Sequence, residues 1–302
     1  MNDCDSTTNV SRVIVVLCYR RTEHLKKVLE GLEQAFLVET FTFVFVVQDP
    51  IDSVLNIINS SKLQNKIVLE IEGSNYLSAA QAINGNLATG LKYAFQTLNS
   101  RFTIVLEDDI VISKDALCFF LQVNERFIKD RNFRGVNGFS QEFGSDHLQN
   151  SVTRINYGLG WGWAIPERTY KKIIGYWKGS ENEHWDFIFE PFIRTGYVVN
   201  PYRSRIWNIG FDYSATHTAM NGELGQNIEL SFRNEPLEHH CKINEVEFDF
   251  HWMGETFSHI RVTDRFIWTR FVLQKFLFLI YKWDGKEKKL YHALRRRILL
   301  GQ

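Results

Sequence analysis

The first 130 residues alternate short apolar segments with segments of helical spacing, and this alternation constrains the fold more than any other feature. The apolar segments are predicted to be buried strands and cover residues 13–18, 41–48, 66–72 and 103–106. Apolar residues recurring every three or four positions predict helices over 20–36, 75–98 and 114–128, with Thr22 and Ser113 as N-caps. Strands that alternate with helices predict an α/β fold with a doubly wound, mostly parallel sheet flanked by helices.

Beyond residue 130 the periodicity weakens. A further strand is predicted over 134–140, and a helix is predicted over 183–193 up to its proline. The glycine- and tryptophan-rich stretch 156–166 is predicted to be a loop. The polar stretch 218–227 contains two glycines and has the composition of a mobile loop.

Charge is unevenly distributed along the 302 residues, although the whole chain carries 35 basic and 35 acidic side chains. Residues 261–302 have eleven Lys or Arg against three Asp or Glu, so residues 1–260 have 24 against 32. The C-terminal segment is also rich in aromatic residues and is predicted to be a basic aromatic helical tail of the kind that lies at a membrane surface. A packed terminal helix is nearly as compatible with it, whereas the acidic remainder gives no support for nucleic-acid binding.

The four cysteines, Cys4, Cys18, Cys118 and Cys241, form no Cys-x-x-Cys pair, so buried thiols are expected rather than disulfides or a zinc site. The N-terminal residues lack the apolar core of a signal peptide. No stretch reaches the roughly 18 uninterrupted apolar residues of a membrane span. A cytoplasmic protein is therefore expected, with the tail as a means of peripheral contact with the inner face of a membrane.

Residues 103–112, TIVLEDDIVI, place three consecutive acids, Glu107, Asp108 and Asp109, at the carboxyl end of a predicted buried strand. In open α/β sheets, ligands bind at that end of the strands. Carboxylate oxygens there suit Mg²⁺ or Mn²⁺, with phosphate oxygens and waters completing the coordination, and such a metal neutralises a diphosphate leaving group. The alternative is a solvated turn whose acids favour the N-terminus of the next helix.

Several motifs occur in an order that resembles the N-acetylglucosaminyltransferase I family, glycosyltransferase family 13, whose members have the GT-A fold. They comprise the strand ends CYRR, VVQD and VLEDD, followed by GLGW (158–161), HWDF (184–187), NPYRSR and SATH (214–217). None of these motifs is specific alone, but their order over residues 12–220 is. The resemblance implies a metal-dependent, inverting glycosyltransferase of the GT-A type that uses Mn²⁺ or Mg²⁺ and a UDP-sugar.

Taken position by position, the resemblance assigns the metal to Asp109, the donor ribose to Asp108 and the transferred sugar to Glu107. Arg20 and Asp49, at the ends of the first two strands, match positions that bind the uridine and the diphosphate. Together these five residues would hold most of the UDP-sugar.

Further along the chain, the resemblance implies that Leu159 and Trp185 line the sugar pocket. Thr216 stands where the family has a serine on the diphosphate, so the hydroxyl is retained. The chain departs from the family at Tyr19, where the family has an aspartate, and at Asn86, where it has a histidine. Both departures affect the expected contacts to uridine.

Asp186 matches the catalytic base that removes the proton from the acceptor hydroxyl as that oxygen attacks the anomeric carbon. On the sequence alone, its apolar neighbours suit a general base, but Glu183 and Glu190 are equally good candidates. The resemblance favours Asp186 over both.

The expected function is transfer of a sugar from its UDP donor to a hydroxyl of a glycan or a lipid-linked saccharide. N-acetylglucosamine is the sugar expected before any other. The alternatives are the same fold with UDP-galactose or UDP-glucose, and a non-catalytic nucleotide-sugar-binding protein. The expected organisation is a flexible N-terminus (1–11), a catalytic domain (12–235) and an extension (236–302) that faces a membrane or a partner. Within the domain, residues 12–110 would bind the nucleotide, and residues 111–235 would meet the sugar and the acceptor.

Overall fold

Four parallel strands form the first half of the sheet. The structure is a computed structural model that describes residues 11–72, 76–140, 151–156, 158–181, 184–210 and 252–256. The four strands are β1 (Arg12–Cys18), β2 (Phe41–Gln48), β3 (Lys66–Ile71) and β4 (Phe102–Glu107). They lie in the order β3-β2-β1-β4, and all their pairings are parallel. All four strands predicted in this half are therefore confirmed.

The sheet continues beyond β4 with five more strands. These are β6 (Phe133–Asn137), β7 (Val152–Ile155), β8 (Trp163–Pro166), β9 (Tyr197–Pro201) and β11 (Trp252–Thr256). The full order is β3-β2-β1-β4-β8-β6-β9-β7-β11, and five of its eight pairings are parallel. Strand β8 runs antiparallel between β4 and β6. Two short strands, β5 (Ile110–Ile112) and β10 (Ile206–Asn208), form a separate antiparallel pair.

Helices cover both faces of the sheet, as its alternating side chains require. On one face, Ile14 and Val16 of β1 pack with α1 (Thr22–Gln34), α2 (Asp52–Ser60) and α4 (Ala116–Phe127). On the other, Val13 and Val15 pack with α3 (Ala79–Lys92), α5 (Glu167–Ile174) and α6 (Trp185–Ile193). Strands that are buried on both faces read as continuous apolar runs, which is why they were recognisable. The predicted class, a doubly wound, mostly parallel α/β sheet flanked by helices, is confirmed.

The stretch 156–166, predicted to be a loop, is a loop only in its first part. Residues Trp163–Pro166 form β8, whose side chains are all buried. The strand has four residues and follows a glycine, so its pattern is too short to separate from the loop. The strand predicted over 134–140 is present as β6, in a shorter form.

Three predicted helix ends are wrong. Helix α1 begins at Thr22, with Arg21 in the N-cap position, so Thr22 is not the cap. Helix α4 begins only at Ala116, and Ser113 donates to the Asp115 carboxylate at 2.5 Å instead of capping a helix. Helix α6 does not stop at Pro191 but continues to Ile193, because the residues that follow the proline are buried in the core.

Of the remaining predictions about the fold, some are confirmed and others concern residues that the structure does not describe. Cys18 and Cys118 are buried, as expected. Cys4, Cys241, the mobile-loop prediction for 218–227 and the basic tail lie outside the described residues. Among the described residues, no helix has both the length and the apolar character needed to cross a bilayer.

Candidate active site

The acidic triplet lies where the strand order reverses. Strand β1 is flanked by β2 on one side and β4 on the other, and Leu17 of β1 pairs with Glu107 of β4. Residues 19–21 leave the carboxyl end of β1 beside the triplet that leaves β4. This switch point is the position at which open α/β sheets bind ligands.

Two acids of the triplet are buried and Glu107 is partly buried, which contradicts the alternative of a solvated turn. Asp108 is 7% exposed and Asp109 is 5% exposed. The Tyr19 backbone N–H donates to Asp108 Oδ2 at 2.9 Å, and the Arg21 guanidinium forms an ion pair with Asp109 Oδ2. The second oxygen, Asp109 Oδ1, is buried and finds no hydrogen-bond donor among the described residues. Asp108 and Asp109 are thus held by the segment that leaves β1, and one acceptor, Asp109 Oδ1, is left unsatisfied.

Residues 208–210 cover the triplet from the other side. The Ile209 N–H donates to the Asp109 carbonyl at 2.9 Å, and His24 Nε2 lies 3.2 Å from the Ile209 carbonyl. A Cβ on Gly210 would lie 2.0 Å from Asp109 Oδ2 and 2.9 Å from Arg21 Nη1. Position 210 therefore accepts only glycine while the ion pair is in place, because any side chain would displace it.

The electrostatics of the triplet show an excess of negative charge. Burial, followed by the charges of Asp109 and Asp108, raises the pKa of Glu107 to about 8. Burial also raises the pKa of Asp108 to about 6, against the opposing effect of the Tyr19 N–H. The pKa of Asp109 is raised by burial as well, although Arg21 opposes the shift. A cation bound here would favour the ionised form of all three acids.

A buried ion pair fixes residues 208–210, the segment that covers the triplet. Arg205 Nε lies 3.0 Å from Asp115 Oδ2, and the two side chains are 1% and 2% exposed. The Ser113 N–H donates to the Arg205 carbonyl at 2.9 Å, next to the pairing of β10 with β5. These contacts hold residues 206–208 against the strand that follows Asp109. These contacts could not be predicted from the sequence, because the partners are about ninety positions apart.

The GLGW loop (158–161) and the following Gly162 lie beside Ile110, the residue that follows the triplet. Gly158 and Gly162 adopt positive φ angles of 39° and 54°, which glycine accepts without strain. The Gly160 N–H donates to Asn137 Oδ1 at 2.9 Å, so the end of β6 anchors the loop. A Cβ on Gly162 would lie 3.2 Å from Ile110 Cγ2. Asn137 therefore positions the GLGW loop, a role that was not predicted from the sequence.

The two residues predicted for the sugar pocket lie on the face of the sheet that carries α6. Leu159 is 8% exposed and Trp185 is 5% exposed. The Trp185 ring centroid lies 5.1 Å from that of Trp163, and Trp163 pairs with Val105 of β4. Trp185 is therefore connected through one side chain to the strand that ends in the triplet. Trp163, for its part, is a core residue.

Asp186 is more exposed than its sequence neighbours suggested. Its side chain is 38% exposed, and Oδ1 lies 2.9 Å from His184 Nδ1. Trp185 and Phe189 point to the core, so Asp186 lies outside the apolar layer rather than within it. Of the rival acids, Glu190 forms an ion pair with Arg194 at 2.8 Å, and Glu183 lies outside the described residues.

The nucleotide-binding candidates lie at the carboxyl edge of the parallel strands. Arg20 is exposed at the end of β1, and its guanidinium lies 4.9 Å from the Tyr19 ring centroid. Asp49 follows β2 with a φ of 45°, and its N–H donates to the Ile71 carbonyl at 2.8 Å. The structure thus brings Arg20, Asp49 and the triplet to one edge of the sheet. Thr216 lies outside the described residues.

The two departures from the family occupy different environments. Tyr19 is 43% exposed, and only its backbone contacts Asp108. Asn86 is buried on α3, where its Nδ2 donates to Gln48 Oε1 at 2.8 Å. Asn86 is therefore hydrogen-bonded to Gln48, the last residue of β2, which is next to Asp49.

The chemistry of the donors at the triplet fits Mn²⁺ or Mg²⁺. Carboxylate oxygens are the hard ligands that these ions prefer, and the buried Asp109 Oδ1 is the atom that a bound ion would satisfy. Across the described residues, no group of three or more His, Cys, Asp or Glu side chains converges to form a complete metal cage.

Comparison with known proteins gives a general likeness. No protein-family model matches the chain, and no curated protein matches it in sequence. One similar solved structure is S. aureus TarS 1–349, at 13% identity and a TM-score of 0.45, covering 66% of this chain and 60% of that one. The same protein in complex with UDP-GlcNAc gives 13% identity and a TM-score of 0.45, covering 65% and 58%.

A further similar structure is the mannosyltransferase PcManGT from Pyrobaculum calidifontis, solved with GDP-Man and Mn²⁺. It is 14% identical with a TM-score of 0.44, covering 65% of this chain and 58% of that one. The chain thus spans about 60% of the length of these structures. At this level of likeness, none of them assigns an activity to this chain.

Proposed function

We propose that this chain is a metal-dependent, inverting glycosyltransferase of the GT-A type that uses a UDP-sugar, with N-acetylglucosamine as the expected sugar. The observation that carries the proposal is the buried triplet at the switch point of the sheet, with its unsatisfied Asp109 Oδ1. Three acids buried around one arginine favour a cation, and a diphosphate accompanied by a divalent ion supplies one.

The residues around the triplet take distinct roles in this proposal. Asp109 holds the metal, which when bound neutralises charge on the leaving diphosphate. Asp108 contacts the ribose and Glu107 the sugar, while Arg20 and Asp49 bind the remainder of the nucleotide. Leu159 and Trp185 form the apolar wall of the sugar pocket, where an aromatic ring packs against a sugar face.

Asp186 acts as the base in a single displacement. It accepts the proton of the acceptor hydroxyl while that oxygen forms a bond to the anomeric carbon. The bond from this carbon to the diphosphate oxygen breaks at the same time, and its electron pair leaves with UDP. The exposure of Asp186 suits this role, because the carboxylate must meet an acceptor that arrives from solvent. His184 orients the carboxylate through their 2.9 Å contact.

A donor screen followed by a turnover assay tests the proposal. Thermal unfolding is measured with UDP-N-acetylglucosamine, UDP-galactose, UDP-glucose and GDP-mannose, each with Mn²⁺ and with EDTA. A ligand that binds the native state raises the unfolding temperature, so the UDP-sugars should stabilise the protein only with Mn²⁺. Release of UDP from the best donor then separates an enzyme from a non-catalytic binding protein. Full turnover in EDTA would refute metal dependence.

The acceptor class remains part of the proposal. A hydroxyl of a glycan or of a lipid-linked saccharide is the expected acceptor, and the tail over 261–302 is the proposed means of reaching a lipid-linked one. Co-sedimentation with anionic vesicles at low and high salt tests this contact, because attraction of basic residues to the bilayer weakens with salt. Equal, weak binding to anionic and neutral vesicles would argue against it.

A further inference from the structure

Arg21 is paired with one of the two oxygens through which Asp109 could bind a metal. Its guanidinium pairs with Oδ2, the side chains of Arg21 and Asp109 being 20% and 7% exposed. Gly210 lies against the same oxygen, and Oδ1 is closed off from solvent. While Arg21 stays in place, neither oxygen of Asp109 is open to an ion that arrives from solution.

The ion pair and a bound metal are mutually exclusive for a simple reason. A divalent cation coordinated by Asp109 would lie within a few ångströms of the guanidinium, in a buried site where like charges repel strongly. Arg21 would have to leave when the metal enters. The Arg21 side chain is 20% exposed, which gives it a route outward.

A displaced Arg21 stays at the same edge of the sheet. It is the N-cap residue of α1 and follows Arg20, at the carboxyl end of β1. An arginine released there needs a new anionic partner, and a guanidinium binds phosphate oxygens well. The diphosphate that arrives with the metal supplies that partner.

We propose that Arg21 is a displaceable counter-ion, which gives up Asp109 to the metal and moves to the diphosphate, so that metal and nucleotide bind together. The inference rests on the proposed function and adds a residue to it, because the family resemblance assigns nothing to position 21. The free protein therefore binds Mn²⁺ weakly, and UDP opens the site to the ion.

Mn²⁺ binding followed by electron paramagnetic resonance, without UDP and with saturating UDP, tests the inference. In the wild type, UDP should tighten Mn²⁺ binding by about tenfold or more, and linkage requires Mn²⁺ to tighten UDP binding by the same factor. Arg21→Gln should bind Mn²⁺ without UDP about tenfold more tightly than the wild type, because its competitor is gone. The variant should also lose affinity for UDP in the presence of Mn²⁺ but keep its affinity for uridine. Arg12→Gln removes an arginine from the opposite end of β1, where it contacts Thr40, and should behave like the wild type.

The outcomes separate this inference from the proposed function. If the wild type binds UDP with Mn²⁺ but Arg21→Gln has unchanged or weaker Mn²⁺ affinity, Arg21 is not a competitor and the inference alone fails. Equal Mn²⁺ affinity of the wild type with and without UDP overturns it as well, and that measurement needs no folded variant. A wild type that binds neither Mn²⁺ nor UDP under any condition overturns both the inference and the proposed function.

Discussion

The two candidate acids of the site, Asp109 and Asp186, lie in different environments. Asp109 is 5% exposed, ion-paired and covered by backbone, whereas the Asp186 side chain is 38% exposed beside one imidazole. The buried Asp109 Oδ1 has no hydrogen-bond donor among the described residues, so the first position favours the arrival of a cation. An exposed carboxylate keeps its hydration and is free to meet a second substrate. This contrast underlies the proposed division of roles, in which the first position holds the donor and the second receives the acceptor.

The strongest test of this division is the loss of the buried acid. We expect Asp109→Ala to abolish both transfer and Mn²⁺-dependent UDP binding, because it removes the carboxylate that is proposed to hold the metal. Calorimetric titration of UDP with Mn²⁺ and a turnover assay measure the two effects. Asp52→Ala removes an exposed acid from the first turn of α2 and should change neither. Retained Mn²⁺-dependent binding in Asp109→Ala would place the metal elsewhere.

Loss of the exposed acid should affect only one of these properties. We expect Asp186→Asn to keep donor affinity but to lower kcat by ~10²–10⁴-fold, the usual effect of removing a general base. The matched variant is Glu190→Gln in the same helix, which should mainly lower stability because Arg194 loses its partner. If Glu190→Gln lowers kcat while Asp186→Asn does not, the base has been assigned to the wrong residue.

The cover over the buried acid should be sensitive to a single methyl group. In Gly210→Ala the new Cβ would meet Asp109 Oδ2 at 2.0 Å, so we expect destabilisation of about 1–3 kcal/mol from overpacking. Gly175→Ala is the control, because its Cβ would meet nothing closer than 3.7 Å and its φ of −65° suits alanine. Urea unfolding measures both. Equal midpoints for the two variants would mean that residues 208–210 do not press on the ion pair.

The smallest effect is expected at His184, which contacts the exposed acid and lies against the Trp185 ring. His184→Gln replaces the ring nitrogen 2.9 Å from Asp186 Oδ1 by a more flexible amide. A single hydrogen bond contributes about 1 kcal/mol, so kcat should fall by up to ~tenfold with donor affinity unchanged. A decrease in kcat as large as that of Asp186→Asn would show that the histidine, rather than the aspartate, accepts the proton.

The parallel half of the fold could be predicted because its physical causes are local. Strands β1 and β2 are buried on both faces, so their sequences are nearly continuous apolar runs. Helices α1 and α4 carry apolar stripes that match this sheet. The second half lacks such patterns, because β5 and β10 have three residues each and β8 follows directly on a glycine loop. Helix α2, directly after Asp49-Pro50, was missed for a similar reason, since its nine residues bury only Val54 and Ile58.

The site could be predicted only where its residues are neighbours in sequence. The three acids of the triplet are consecutive, but their partners Arg21 and Gly210 come from other segments. A backbone donor leaves no trace in the sequence at all. Tyr19 illustrates this, because its backbone N–H, and not its side chain, donates to Asp108. That contact depends on the path of the chain and not on the side chain.

The contacts around the acidic triplet also bear on the order in which the candidate site forms during synthesis. The bond of Tyr19 to Asp108 spans 89 residues, and the contact of His24 with Ile209 spans 185. Closing such long loops is slow, and the parallel strands can pair before residue 210 has left the ribosome. A nascent chain that ends before that point would carry the acids of β4 without their cover. The binding site is therefore among the last parts of the described chain to be completed, after the sheet that supports it.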